Sequence, residues 1–239
     1  MKKFKLLTIV SSLVLCLGLM ITPAHAEETD YLAISAYTET FKPAEGTDAT
    51  LTVDVTGTAG EDGYIYLIKT LADTTAVDVT GENITGKLEE ITDGAISYYR
   101  VKVADKTAET TLTATFTVAA FYDEATEADD NGGANYALSY TFTNHFDSAI
   151  EKYTVYVYAP EGMEVVKVTE PSKYAKQKLG VEDGMRYVGA SGAVDPAATS
   201  GVAYTYNTPM TSVAKIVIWV LCLGVGGFIF VDRYKKAKQ

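Results

Sequence analysis

Cysteine is almost missing from this 239-residue chain, and its two cysteines, Cys16 and Cys222, lie inside apolar runs at opposite ends. The long central part therefore has no disulfide to brace it and no thiolate for a metal site, a Cys–His nucleophile pair or a covalent haem. Histidine is nearly as scarce. Only His25 and His145 occur, and only His145 falls in the central part, which excludes paired-histidine zinc chemistry there. Phosphate-binding Gly-x-x-x-x-Gly-Lys, dinucleotide-binding Gly-x-Gly-x-x-Gly and the Gly-x-Ser-x-Gly nucleophile elbow are all absent; Gly189-Ala190-Ser191-Gly192 lacks the second glycine spacing of that elbow. Carboxylate pairs of the glycosidase type are the one catalytic arrangement that so acidic a chain leaves open. The expectation is a protein that is not an enzyme and has no cofactor beyond a calcium candidate described below.

Positive charge is also missing from the middle. Residues 27–209 carry 30 Asp and Glu against 12 Lys and Arg, a formal charge near −18. The whole-chain value of −11 hides this, because the basic residues gather at the two ends. Such a surface repels nucleic acid and anionic headgroups. Long helical periodicity is lacking between the terminal segments, where Ser172 to Leu179 is the one candidate for a short helix.

What is present begins with the ends. Lys2, Lys3 and Lys5 precede an apolar run from Leu6 to about Ile21, and Ala24-His25-Ala26 supplies small residues two apart. This is the layout of a secretory signal peptide, residues 1–26. At the other end, Val213 to Val231 contains one charge, Lys215, and is followed by the basic tail 232–239. Nineteen helical residues span about 28 Å, near the thickness of a bilayer's hydrocarbon core. The two signals together predict a single-pass cell-membrane protein, N-terminus extracytoplasmic and C-terminus cytoplasmic, with lipid contact through that helix. Cys222 and Gly226 have a small-xxx-small spacing that fits helix–helix contact in a homodimer.

The body between the ends reads as all-β. Leu51, Val53 and Val55 alternate with Thr52, Asp54 and Thr56. Leu112, Ala114, Phe116 and Val118 alternate with threonines 111 to 117, and Leu138, Tyr140 and Phe142 alternate with Ser139, Thr141 and Thr143. Tyr64–Ile68, Tyr99–Val103, Tyr153–Tyr158 and Val202–Tyr206 add further short runs. Period-2 alternation gives each strand one apolar and one wet face, and Gly, Asp, Asn and Pro between the runs supply turns. Packed antiparallel sheets are expected, as β-sandwiches. The acidic, glycine-ended segment 123–133 reads as a linker between a first sandwich, 27–122, and a second, 134–209; one sandwich with a protruding acidic hairpin is the alternative. Within that segment Glu127, Asp129 and Asn131 stand two apart before Gly132, as at the start of a calcium loop, although position twelve is Leu138 rather than a bidentate Glu.

Sixteen of the seventeen tyrosines lie in the central part. Tyr156 and Tyr158, at i and i+2 on one strand face, form a candidate platform for a glycan or a protein.

Residues 138 to 162 resemble the immunoglobulin-like repeats of prokaryotic surface proteins. Leu138-Ser139-Tyr140-Thr141-Phe142-Thr143-Asn144 ends a strand in Asn, and Tyr153-Thr154-Val155-Tyr156-Val157-Tyr158-Ala159-Pro160-Glu161-Gly162 closes the next with Pro-x-Gly. That resemblance implies an immunoglobulin-like antiparallel sandwich acting as stalk, spacer or interaction module, without catalytic residues. Together these readings predict a membrane-anchored cell-envelope protein serving adhesion, spacing or protein–protein interaction. Its expected partner is an envelope protein or cell-wall glycan, either as a wall-binding module or as an accessory subunit of a membrane complex.

Overall fold

The computed structural model describes residues 33–122, 127–128, 134–171, 177–208, 216–225, 229 and 233. Fourteen strands account for most of them: β1 Ile34–Pro43, β2 Ala49–Gly57, β3 Tyr64–Ile68, β4 Thr74–Gly81, β5 Glu89–Asp93, β6 Ile96–Lys102, β7 Thr110–Val118, β8 Glu127–Ala128, β9 Ala134–Thr143, β10 Ile150–Tyr158, β11 Glu164–Glu170, β12 Gln177–Glu182, β13 Met185–Val194 and β14 Thr199–Asn207. They form a seven-stranded sheet in the order β12-β13-β10-β1-β2-β7-β4, a four-stranded sheet β11-β14-β9-β8 and a three-stranded sheet β3-β6-β5. The all-β reading of the body holds.

Alternation places the core where the sequence pattern put it. On β2, β7 and β9 the apolar set (Leu51, Val53 and Val55; Leu112, Ala114, Phe116 and Val118; Leu138, Tyr140 and Phe142) is buried, and the alternating threonines face outward or sit half-covered. Rings join the sheets. Phe142 of β9 stacks on Tyr153 of β10 with centroids 4.4 Å apart and meets Tyr37 of β1 at 5.4 Å. Tyr99 of β6 meets Phe116 of β7 at 4.9 Å. The four- and three-stranded sheets thus cover one face of the seven-stranded sheet, and a single apolar cluster runs through all three. With no disulfide in the body, this burial is what holds it together, each large side chain contributing roughly 1.5–3 kcal/mol.

The seam of the large sheet departs from an antiparallel plan. β1 runs parallel to β10, with Glu39 opposite Val155 and Phe41 opposite Val157, while pairing antiparallel with β2 on its other side. A parallel neighbour requires a long crossover, and here more than a hundred residues supply it. Because β1 precedes the acidic segment 123–133 and β10 follows it, strands from both sides share one sheet and one core. The segment divides the chain in sequence but not in the sheet.

Local expectations fare variously. Asn144 follows β9, and a turn with Met163 N–H donating to Pro160 C=O at 3.0 Å follows β10. Strands β9 and β10 then lie in different sheets. Asn144 is fully buried and ties the loop together. Its Nδ2 donates to Ser148 C=O and Val194 C=O, each at 2.9 Å, and its Oδ1 accepts from Phe146 N–H at 3.0 Å. Asn144→Ala strands those three backbone groups, and chemical denaturation should show a loss of about 2–4 kcal/mol. A loss below the scatter between surface variants would remove Asn144 from this role.

Two expectations are corrected. The short helix expected at Ser172 to Leu179 is strand where it is described, since Gln177, Lys178 and Leu179 belong to β12. Pairing along β13 overrides the weak local helical preference. At the C-terminus, no helix among the described residues is long and apolar enough to cross a membrane. The continuous helical run is 216–225, about 15 Å long against roughly 30 Å of hydrocarbon. The single-pass cell-membrane placement, its topology and the lipid contact are withdrawn on that finding. Residues 1–26, read as a signal peptide, and the remainder of the apolar run, 213–215, 226–228 and 230–231, lie outside the described residues.

Candidate functional site

The most unusual group in the core is a carboxyl. Tyr37-Thr38-Glu39-Thr40-Phe41 alternates like any half-buried strand, so Glu39 shares the inward face of β1 with Tyr37 and Phe41 and is 1 % exposed. Tyr153 Oη donates to Glu39 Oε2 at 2.6 Å and Tyr140 Oη at 2.8 Å. One acceptor therefore links β1, β9 and β10. Burial raises the Glu39 pKa to about 7 from the usual 4.5, although the two tyrosine hydroxyls pull the other way by stabilising the carboxylate. Tyr37 Oη and Thr70 Oγ1, buried nearby, make no hydrogen bond of good geometry. Burial and the Glu39 charge push the hydroxyls of Tyr37, Tyr140 and Tyr153 far above their ordinary pKa, so they remain donors. The free space around Glu39 is about 10 Å³, too little to admit any ligand. This cluster ties β1, β9 and β10 together. A charge at an inward position of an alternating run was the available sequence signal, and β1 was not among the strands read.

An open cleft of about 640 Å³ lies between the three-stranded sheet and the outward face of β9. Lys69, Thr70, Ser97, Thr141, Thr143 and His145 supply its polar lining. Tyr98 Oη donates to His145 C=O at 3.3 Å, closing one end. Lys69 Nζ pairs with Glu90 at 2.7 Å and lies 5.5 Å from the Tyr99 ring centroid. Partial burial disfavours the Lys69 charge, but Glu90 and Tyr99 outweigh it and hold its pKa above normal. The cleft's cation is thus already neutralised within the fold.

The tyrosine platform is not open. Tyr158 is 3 % exposed, its hydroxyl is hydrogen-bonded to Glu182, and Lys42 Nζ sits 4.9 Å from its ring centroid. Tyr187 packs against both members of the pair, at 5.4 Å from Tyr156 and 5.2 Å from Tyr158. Lys178 Nζ donates to Tyr156 Oη at 2.9 Å. The pair was read as outward because alternation was the only guide. β10 is a central strand, and β12 and β13 bring Tyr187, Lys178 and Glu182 over its outer face. The Tyr187 ring lies across Gly180, where an added Cβ would run into the Tyr187 hydroxyl.

Of the calcium candidates, Glu127 belongs to the two-residue strand β8, opposite Asn135, while Asp129 and Asn131 lie outside the described residues. Among the described residues no group of three or more His, Cys, Asp and Glu is placed to hold a metal ion. Cys222 is exposed on the helical run, and Gly226 lies outside the described residues.

A surface that sequence reading did not find lies at the other end of the large sheet. β11 and β12 are edge strands of different sheets, and an apolar groove of about 410 Å³ opens beside them. Leu179 (59 % exposed) and Val181 (60 %) of β12, with Val166 of β11, expose large side chains there. Its sequence signal was Lys178-Leu179-Gly180-Val181-Glu182, a short alternating run hidden by the helix reading.

No family model matches the chain, and no curated protein matches it. Among solved structures it is similar to the M1 zinc metallopeptidase of Deinococcus radiodurans, with a TM-score of 0.44 and 10% identity over 74% of this chain and 42% of that one. Native leukotriene A4 hydrolase of Saccharomyces cerevisiae matches with a TM-score of 0.44 and 12% identity over 78% and 31%. A putative protease of Parabacteroides distasonis gives 0.41 and 11% over 74% and 40%. The chain spans less than half the length of each. At these scores the matches assign this chain no activity and remove none, and none of the three is an immunoglobulin-like repeat.

Proposed function

We propose that this chain is a non-catalytic β-sandwich module that works by contact with another protein, as an adhesion, spacer or accessory element. The observation that carries this reading is the exposed apolar strip of Leu179, Val181 and Val166 along the groove beside β11 and β12. A water-exposed strip of this kind costs free energy that a protein partner would recover on covering it. The strip stands on a body welded by one continuous core, so a contact would be made without reorganising the sheets. The immunoglobulin-like reading of residues 138–162 supports the same class of function. The glycan-binding alternative loses its platform, because the Tyr158 ring is covered from within.

A photo-crosslinking residue at position 179 tests this in the cells that make the protein. A discrete protein adduct, absent when the probe sits at exposed Val77 on the far edge strand, is the expected result. No adduct from position 179, or turnover of a peptide or polysaccharide by the purified chain, would count against the proposal.

A further inference from the structure

We infer that the partner of this strip is a second copy of the chain, paired antiparallel through the free edge of β12 about a two-fold axis at Gly180. The inference rests on the interaction reading above and names its partner.

The edges decide where a strand can add. β4, at the far end of the large sheet, carries a bulge between Ala76 and Asp78, and β11 carries two irregularities, at Val165/Lys167 and Val168/Glu170. Bulges of this kind twist an edge away from a newcomer. β5 carries Glu89, Glu90 and Asp93 in five residues, β8 is two residues long, and β3, though free of shifts, has Ile65 to Ile68 buried. β12 pairs with β13 over six successive residues without a shift. It is a regular edge whose side chains on the groove face, Leu179 and Val181, are exposed and apolar.

The hydrogen-bond parity is correct for pairing. Ala159 N–H donates to Arg186 C=O at 2.8 Å, so Arg186 turns its backbone groups toward the β10 side of β13. Tyr187 and Gly189 must then face β12, where they stand opposite Gly180 and Lys178. Gly180 and Lys178 direct their N–H and C=O inward. Leu179 and Val181 direct theirs to the open edge.

The sequence of that edge is complementary to its own reverse. With Gly180 opposite Gly180 of the second copy, Leu179 stands opposite Val181 and Lys178 opposite Glu182. The outward groups of Leu179 meet those of Val181, an apolar pair forms on the groove face, and on the other face Lys178 and Glu182 pair across the edge by turning from Tyr156 and Tyr158. Gly180 at the centre leaves room within each copy for the Tyr187 ring above it. A slip by one residue sets inward-directed backbone groups against outward ones, so parity and charge select the same register. Sheets of the two copies become continuous through β12.

Sedimentation equilibrium of the purified full chain tests this, with circular dichroism and thermal unfolding as fold controls. The wild type is expected to show a monomer–dimer equilibrium. Lys178→Glu and Glu182→Lys each set like charges opposite and raise the dimer dissociation constant roughly tenfold, and the double swap restores it. Val181→Pro removes an N–H that points to the free edge and spares the β13 ladder, so it should fold and stay monomeric. A wild type that remains monomeric overturns the inference, as does a folded Val181→Pro chain that associates like the wild type. The proposed function fails separately: a photo-adduct to a different protein from a monomeric wild type defeats self-pairing alone, and absence of any adduct together with a monomer defeats both.

Discussion

Between pH 4.5 and about 7 the folded chain is expected to lose on the order of 3 kcal/mol of stability through Glu39 alone. In the unfolded chain this carboxyl gives up its proton near its ordinary value. In the fold it keeps the proton until about pH 7, because burial on β1 penalises the charge more than the Tyr153 and Tyr140 hydroxyls relieve it. The native state therefore binds more protons than the unfolded state throughout that window, and stability falls as pH rises. The contribution is whole below pH 4.5 and gone once pH has passed through the folded value. Glu39→Gln, which cannot titrate, should flatten the profile. Urea denaturation of both chains at a series of pH values reads the difference directly. Parallel profiles would show that Glu39 does not hold its proton in the fold.

Phe142→Ala is expected to cost about 3–5 kcal/mol, the range for deleting a buried aromatic side chain from a packed core. Phe142 is 0 % exposed and touches both Tyr153 of β10 and Tyr37 of β1, so its removal opens the seam between the four- and seven-stranded sheets. Typical domains hold only about 5–15 kcal/mol, so the variant stands near the edge of folding. Thr141→Ala, one position away on the outward face, should change stability by no more than about 0.5 kcal/mol. The same experiment reports on domain organisation. With β1 and β10 in one sheet, denaturation should show one transition in the wild type, moved as a whole by Phe142→Ala. Two transitions, with only that of the part after residue 133 responding, would mean two independent sandwiches.

Much of the fold was legible because alternation is a local property. Thr111 to Val118 shows which side chains face inward whatever strand lies beside it, and the structure buries that set. The same rule misled at Tyr156 and Tyr158. It separates two faces but cannot say that both will be covered, which depends on β12 and β13 folding over β10. Glu39 was legible in principle, as a charge at an inward position, but its partners are Tyr140 and Tyr153, about a hundred residues onward. The β12 edge was hidden by a weak helical preference that pairing with β13 overrides.

By itself the sequence determined an acidic, disulfide-free, β-built body and the inward face of clearly alternating strands such as β2, β7 and β9, since these follow from composition and a two-residue period. Only the tertiary structure decided that β1 lies parallel to β10, that Glu39 is sealed in the core, that Tyr158 is buried beside a half-buried Tyr156, and that β12 is left as an open edge. Those outcomes depend on which distant strands become neighbours. That choice is made by burial and hydrogen bonding summed over the whole chain, and no short window of residues contains it.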